Sequence, residues 1–308
     1  MRAAVLWLLI SVALAPASGC GRLRGASRSR SGPGGAQYYL NHDLSSGDLS
    51  QWPHRDYGLG TEVGSNSSGG GYIWYHANVA GSRAAGLTAT PTAHASPAAD
   101  SDSVFLWDPT EDWNYAPYEF WLRTSVMFPS AATISASGAQ GEQAYRPTTG
   151  EWNWFLVFHN DSNPLPSCAH EVGNVSLDVK TDDRVQSGVA GTQNVRLALR
   201  IMGGNDCSPS TVWVNGPRLV LDHWYKLLLH IKWDPSNGVF EWYVDNFSKP
   251  YYSNLNIPTL FTRPSGYVSP SYTSLTEANY RLDAPWSSTI YFGPLVVGST
   301  KSSVLNAF

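Results

Sequence analysis

No segment of this chain repeats its apolar residues with a helical period; they alternate instead over short runs closed by Gly, Pro and Asn. That pattern restricts the fold more than any other property, because alternation buries one face of a strand and leaves the other free. The clearest run is residues 152–159, Trp-Asn-Trp-Phe-Leu-Val-Phe-His, followed at once by Asn160-Asp161-Ser162-Asn163-Pro164. Aromatic and β-branched residues ended by turn formers predict a strand. Strict alternation sets Trp152, Trp154, Leu156 and Phe158 on one wholly apolar face, expected as core. Asn153, Phe155, Val157 and His159 then share the other face, which begins and ends polar as a cleft-lining strand would.

Further strands are expected at residues 72–75, 118–128, 174–180, 194–202, 224–233, 239–245, 279–282 and 289–297. Asp234-Pro235-Ser236-Asn237-Gly238 joins two of them as a hairpin. Residues 84–99 are small and polar with Pro91 and Pro97, so weak edge strands or loop are expected there. Arg196 and Arg200 fall on the polar side of their strand, and Lys226, His230 and Lys232 on the polar side of theirs; both sets are expected to face solvent. The sum is an all-β, antiparallel two-sheet sandwich, better matched in length by a jelly roll than by an immunoglobulin domain.

A net charge of −4 over 308 residues gives no footprint for nucleic acid. With 13 Trp and 16 Tyr but only 14% charged residues, the composition suits an exported β-protein with an aromatic binding surface. Residues 1–19 read as a signal peptide: Met1-Arg2, an apolar stretch too short to span a bilayer, then Ala15-Pro16-Ala17. Ala17-Ser18-Gly19-Cys20 also resembles a lipobox, so cleavage by signal peptidase and lipidation at Cys20 both stay open. Residues 20–36 read as a flexible basic tether and 37–308 as one domain. Export would let Cys168 and Cys207 pair as a disulfide. A metal site built from Cys168, His170 and Cys207 lacks a fourth spaced ligand.

The order of motifs resembles the heparin-lyase-like polysaccharide lyases. It runs through Gly47-Asp48-Leu49-Ser50-Gln51-Trp52, Glu151-Trp152-Asn153 and Phe158-His159. It continues with His223-Trp224-Tyr225-Lys226, Asn237-Gly238, Tyr243-Val244-Asp245, Ile257-Pro258-Thr259-Leu260 and Ala278-Asn279-Tyr280-Arg281. The resemblance implies a concanavalin A-like jelly roll and β-elimination on a uronic-acid polysaccharide. That chemistry needs a base for the proton beside the sugar carboxylate, donors that neutralise the carboxylate, and an acid for the leaving oxygen. His159 and Tyr280 fall on the family's acid/base pair. Val157 stands where the family tends to carry Gln, and Thr276 where it often carries Lys. Asn153, Arg83, Arg200 and Arg281 are therefore the candidate carboxylate binders.

The partner implied is an extracellular acidic polysaccharide, with a membrane reached only through Cys20 and a monomer as the working state. No cofactor is required by the sequence, and a structural calcium stays open. Two rivals share the fold. A lectin-like carbohydrate-binding module would stack sugars without chemistry. A glycoside hydrolase would need two carboxylates straddling the bond, and no Glu-x-Asp-x-x-Glu run is present. A Gly-x-Ser-x-Gly elbow for a serine hydrolase is also missing from the sequence.

Overall fold

The run that opened the sequence reading forms a strand, Asn153–Asn160, and its neighbours define the architecture. The structure is a computed structural model that describes residues 38–52, 54–56, 63–65, 70–90, 101–109, 118–130, 141–145, 153–160, 174–181, 194–205, 208–262, 273–282 and 286–308. The assignments to residues 1–36, Trp152, Cys20, Cys168 and Cys207 lie outside the described residues.

Two sheets form the sandwich. Numbered along the chain, the larger one contains β3 (Val63–Ser65), β4 (Gly70–Val79), β5 (Ser82–Thr90), β7 (Glu119–Met127), β12 (Trp224–Lys232), β13 (Gly238–Val244), β14 (Tyr252–Ile257) and β17 (Ser288–Phe292). Their order is β14-β13-β12-β7-β17-β5-β4-β3, and β1 (Tyr38–His42) joins through β18 (Leu295–Gly298), which pairs with β7. The smaller sheet runs β11-β10-β9-β8-β16-β6-β2. Its members are β2 (His54–Asp56), β6 (Ser101–Pro109), β8 (Asn153–Asn160), β9 (Val175–Thr181), β10 (Val195–Asn205), β11 (Ser210–Arg218) and β16 (Thr273–Leu282), with β15 (Phe261–Thr262) alongside β10. Among the described residues every pairing is antiparallel except β10 with β15. The expected antiparallel jelly-roll sandwich is the fold observed.

Between the sheets, alternation supplies the core. Leu197, Leu199 and Ile201 of β10 and Val175, Leu177 and Val179 of β9 are buried beneath Leu227, Leu229 and Ile231 of β12. Phe158 meets Phe120 and Trp233 with ring centroids 6.0 and 5.7 Å away. Each fully buried side chain of this size contributes roughly 1.5–3 kcal/mol.

Residues 84–99 depart from expectation in their first part, because β5 lies inside the larger sheet between β4 and β17. The small side chains that suggested a weak edge are there for closeness. A Cβ on Gly86 would stand 2.7 Å from His76 Nε2 and 2.8 Å from Tyr291 Cε1. Backbone approaches backbone at Gly203, where a Cβ would meet the Pro258 carbonyl carbon and oxygen at 2.6 Å. Gly203→Ala is expected to cost about 1–3 kcal/mol of stability, as overpacking against a chain that cannot swing aside does. A denaturant titration checks this; an unchanged midpoint would contradict the packing.

The short helix α1 (Lys301–Leu305) closes on the outer side of the larger sheet. Thr300 caps it by accepting from the Ser303 amide. Arg123 donates to the carbonyls of Leu305 and Phe308. His230, expected to face solvent, is largely covered instead. Its ring stacks on Trp121 at 4.2 Å, and its two nitrogens lie 2.7 Å from Glu241 and 2.8 Å from Glu119.

Candidate functional site

β8 breaks its own alternation, and that break decides which residues leave the core. Against β9, Trp154 pairs with Asp178 while Leu156 pairs with Leu177, so β8 carries one extra residue between them. This is a β-bulge. Phe155 and Leu156 both point inward, Phe155 edge-on to Phe128 at 5.5 Å. Beyond the bulge the expected faces hold, with Phe158 inside and Val157 outside the core cluster. Before it they are exchanged. Trp154, expected in the core, moves to the outer face, and Asn153, expected in the cleft, turns into the sandwich.

On that outer face Trp154 meets Tyr280 of β16, centroids 5.2 Å apart and planes at 74°. Tyr280 is half-buried and also packs edge-on against Phe105 of β6 at 5.3 Å. On the other side of Trp154 comes Arg200 of β10, its Cζ 4.8 Å above the Trp154 ring and 5.6 Å from that of Trp213. The guanidinium is thus within cation–π distance of two indoles. Lys180 of β9 places its Nζ 4.1 Å over Trp213. Arg200 is 9% exposed and Lys180 8%, against the expectation that Arg200 faces solvent. Aromatic neighbours and the Asp178 carboxyl surround these cations and exclude most of the water.

Asp178 completes the cluster. It is wholly buried, one strand position before Val179 and opposite both Trp154 and Ala198. Burial pushes its carboxyl up to about 6, while Arg200, Lys180 and then Ser176 and Trp154 draw it back toward ionisation. Neither carboxyl oxygen reaches a partner in normal hydrogen-bond geometry among the described residues.

The remaining candidates divide by face. His159 stands opposite Ser274, and Val157 opposite Thr276, so the His159 position follows the same register as the outer face. The His159 side chain lies outside the described residues. Asn153 is buried and donates to the Tyr145 carbonyl at 3.1 Å. Arg281 is buried between the sheets, donating to Ser288 Oγ at 2.9 Å and to the Trp286 carbonyl. Arg83 is exposed on β5 of the other sheet. Of the four carboxylate-binding candidates the structure brings Arg200 alone to the face of Tyr280. Asp178, Lys180 and Trp213 were not among the residues expected at the site. The first two carried a visible signal, the polar alternation Ser176, Asp178, Lys180 between Leu177 and Val179.

Glu277 neighbours this face along β16 but points the other way. It accepts a 3.4 Å bond from Thr124 Oγ1 of the opposite sheet. Asp178 is therefore the one carboxylate among the described side chains of the outer face. No cluster of three His, Cys, Asp or Glu able to hold a metal occurs among the described residues.

No family model and no curated protein matches the sequence. Solved structures are similar at low identity. An alginate lyase from Chlorella virus is 12% identical with a TM-score of 0.41, over 78% of this chain and 93% of that one. The globular domain of T. cruzi calreticulin is 13% identical with a TM-score of 0.44, over 87% and 91%. A β-glucanase catalytic domain from Podospora anserina is 11% identical with a TM-score of 0.45, over 86% and 96%. Likeness at these levels carries neither residue nor activity across.

Proposed function

We propose that the chain is a polysaccharide lyase that acts outside the cell, cleaving a uronic-acid-containing polysaccharide by β-elimination. One observation supports this most: Tyr280, Trp154 and Arg200 share a single sheet face with the His159 position. Trp213 keeps part of its indole exposed as a stacking surface for a sugar ring, and a guanidinium within cation–π reach of two indoles suits a planar carboxylate. Neutralising that carboxylate acidifies the neighbouring C–H. His159 and Tyr280 then divide the proton work: one group takes the proton as the C–H bond breaks, and the other protonates the oxygen that leaves as the double bond forms.

A second reading, a lectin-like module that binds the same chain without cleaving it, is favoured by the pair Val157 and Thr276. These residues face each other across β8 and β16 and supply no carboxylate-binding cation or amide. The test is absorbance of the unsaturated product on a panel of alginate, glucuronan, polygalacturonate and heparin. Product should form on at least one of them, and His159→Ala should abolish it with the thermal melt unchanged. Binding without product on every substrate would remove the lyase reading and leave the module. Turnover unchanged in His159→Ala would remove His159 from the mechanism.

A further inference from the structure

We infer that Asp178 sets the charge of the Trp154–Arg200–Lys180 face, so that the face holds an acidic sugar chain when this carboxyl is protonated and releases the chain as the carboxylate forms. The inference rests on reading that face as a uronate site and adds a regulator to it.

Asp178 is diagonal to Arg200 across the β9–β10 ladder, since Ser176 pairs with Arg200 and Asp178 with Ala198. Side chains two positions apart on one strand share a face, so Asp178 and Lys180 do too. One acid thus stands beside two cations in a patch from which water is largely excluded. Such a patch carries one net positive charge with the carboxylate formed and two with it protonated. The groups that face Asp178 are Lys180 and Ser176 on its own strand, Arg200 on β10 and Trp154 on β8. Trp213 of β11 stacks on both cations. A sugar carboxylate arriving at Arg200 competes with the Asp178 carboxylate for the same guanidinium, and the two anions repel each other at low effective dielectric.

The position of the titration agrees, because burial places it near neutrality rather than in the ordinary carboxylate range. Binding and protonation are then reciprocal: acid strengthens the complex, and the bound chain raises the titration of Asp178. Where only the protonated form binds, affinity falls up to about tenfold per pH unit above the titration.

The experiment uses the full chain and oligomers of alginate, glucuronan and polygalacturonate, followed by tryptophan fluorescence at about pH 5 and about pH 7.5. Both lie above the ordinary titration of a carboxyl group, so the oligomers stay ionised throughout. Wild type should bind about thirtyfold more weakly at the higher pH. In a His159→Ala background, which takes the imidazole of the same face out of the comparison, Asp178→Asn should bind alike at both, and more tightly than its Asp178 parent at the higher one. A purely structural role for Asp178 predicts the opposite sign, weaker binding by the variant. That outcome, or a variant whose pH dependence matches its parent, overturns the inference. Should the variant fail to fold, carboxyl-carbon NMR on wild type decides, since saturating oligomer should move the Asp178 midpoint upward and an unmoved midpoint overturns the inference. Wild type that binds no oligomer at either pH would instead overturn the uronate reading of the face.

Discussion

Tyr280→Phe is expected to lower polyuronate turnover by about 10²–10⁴-fold, the usual contribution of a positioned acid or base. The substitution deletes one oxygen and keeps the ring that packs against Trp154 and Phe105. Stability should consequently stay within about 0.5 kcal/mol of wild type, as for a change that opens no cavity. The comparison to make is kcat/KM beside a thermal melt. A loss confined to KM would assign Tyr280 to holding sugar rather than to moving a proton, because uniform binding changes KM alone. Full activity in the Phe variant would take Tyr280 out of the mechanism.

Stability should peak in mildly acidic solution and decline toward pH 8, an unusual direction for a protein. Glu277 is wholly buried, and desolvation raises its carboxyl to about 8. Thr124 and Trp52 lower it, but by less than burial raises it. The folded chain thus keeps a proton that the unfolded chain gives up above its ordinary titration near 4.5. With more protons bound in the folded state, stability falls as pH rises through that window, by at most about 1.4 kcal/mol per unit. Asp178 acts in the same direction up to about 6.

His42 works at the other end. Burial lowers it to about 3, so the unfolded chain takes up a proton that the folded chain refuses, and stability falls as pH drops from 6.5. Between about 6.5 and 8, Glu277 is the one of these three still titrating. Glu277→Gln removes that ionisation and should flatten the melting temperature across this interval. A wild-type melting temperature that rises between pH 6.5 and 8, or a Gln variant with the same slope as wild type, would contradict the buried, protonated carboxyl.

The strands were legible because alternation is local: β7, β9, β10, β12 and β13 lie within a few residues of where the pattern put them. Bulges are not local in this sense. Nothing in Asn153-Trp154-Phe155-Leu156 marks an extra residue, because Phe155 and Leu156 are both apolar and either could be the inward one. The slip shows only in the pairing of β8 with its two neighbours, β9 and β16. The sequence therefore located the right strand for the site and misassigned the half of it that carries the indole. Arg200 was legible as a candidate, but not its burial, since Trp154 reaches it from a strand distant in the chain and Trp213 from a strand whose register the sequence did not set. Small residues misled for a related reason: Gly86 signals close approach, which looks like weakness until the neighbours His76 and Tyr291 are in place.

The bulge in β8 makes the chain's length, and not merely its side chains, part of the site. Removing one residue at Phe155 would restore simple alternation and exchange Asn153 with Trp154 in a single step. An amide that now ties β8 to the Tyr145 carbonyl would surface among the cations, and an indole would be driven into a space filled by Arg281 and its partners. Point substitutions can tune this face one residue at a time. An insertion or deletion here changes wall and foundation together, so relatives that differ in length within this strand should be read as having a different site altogether.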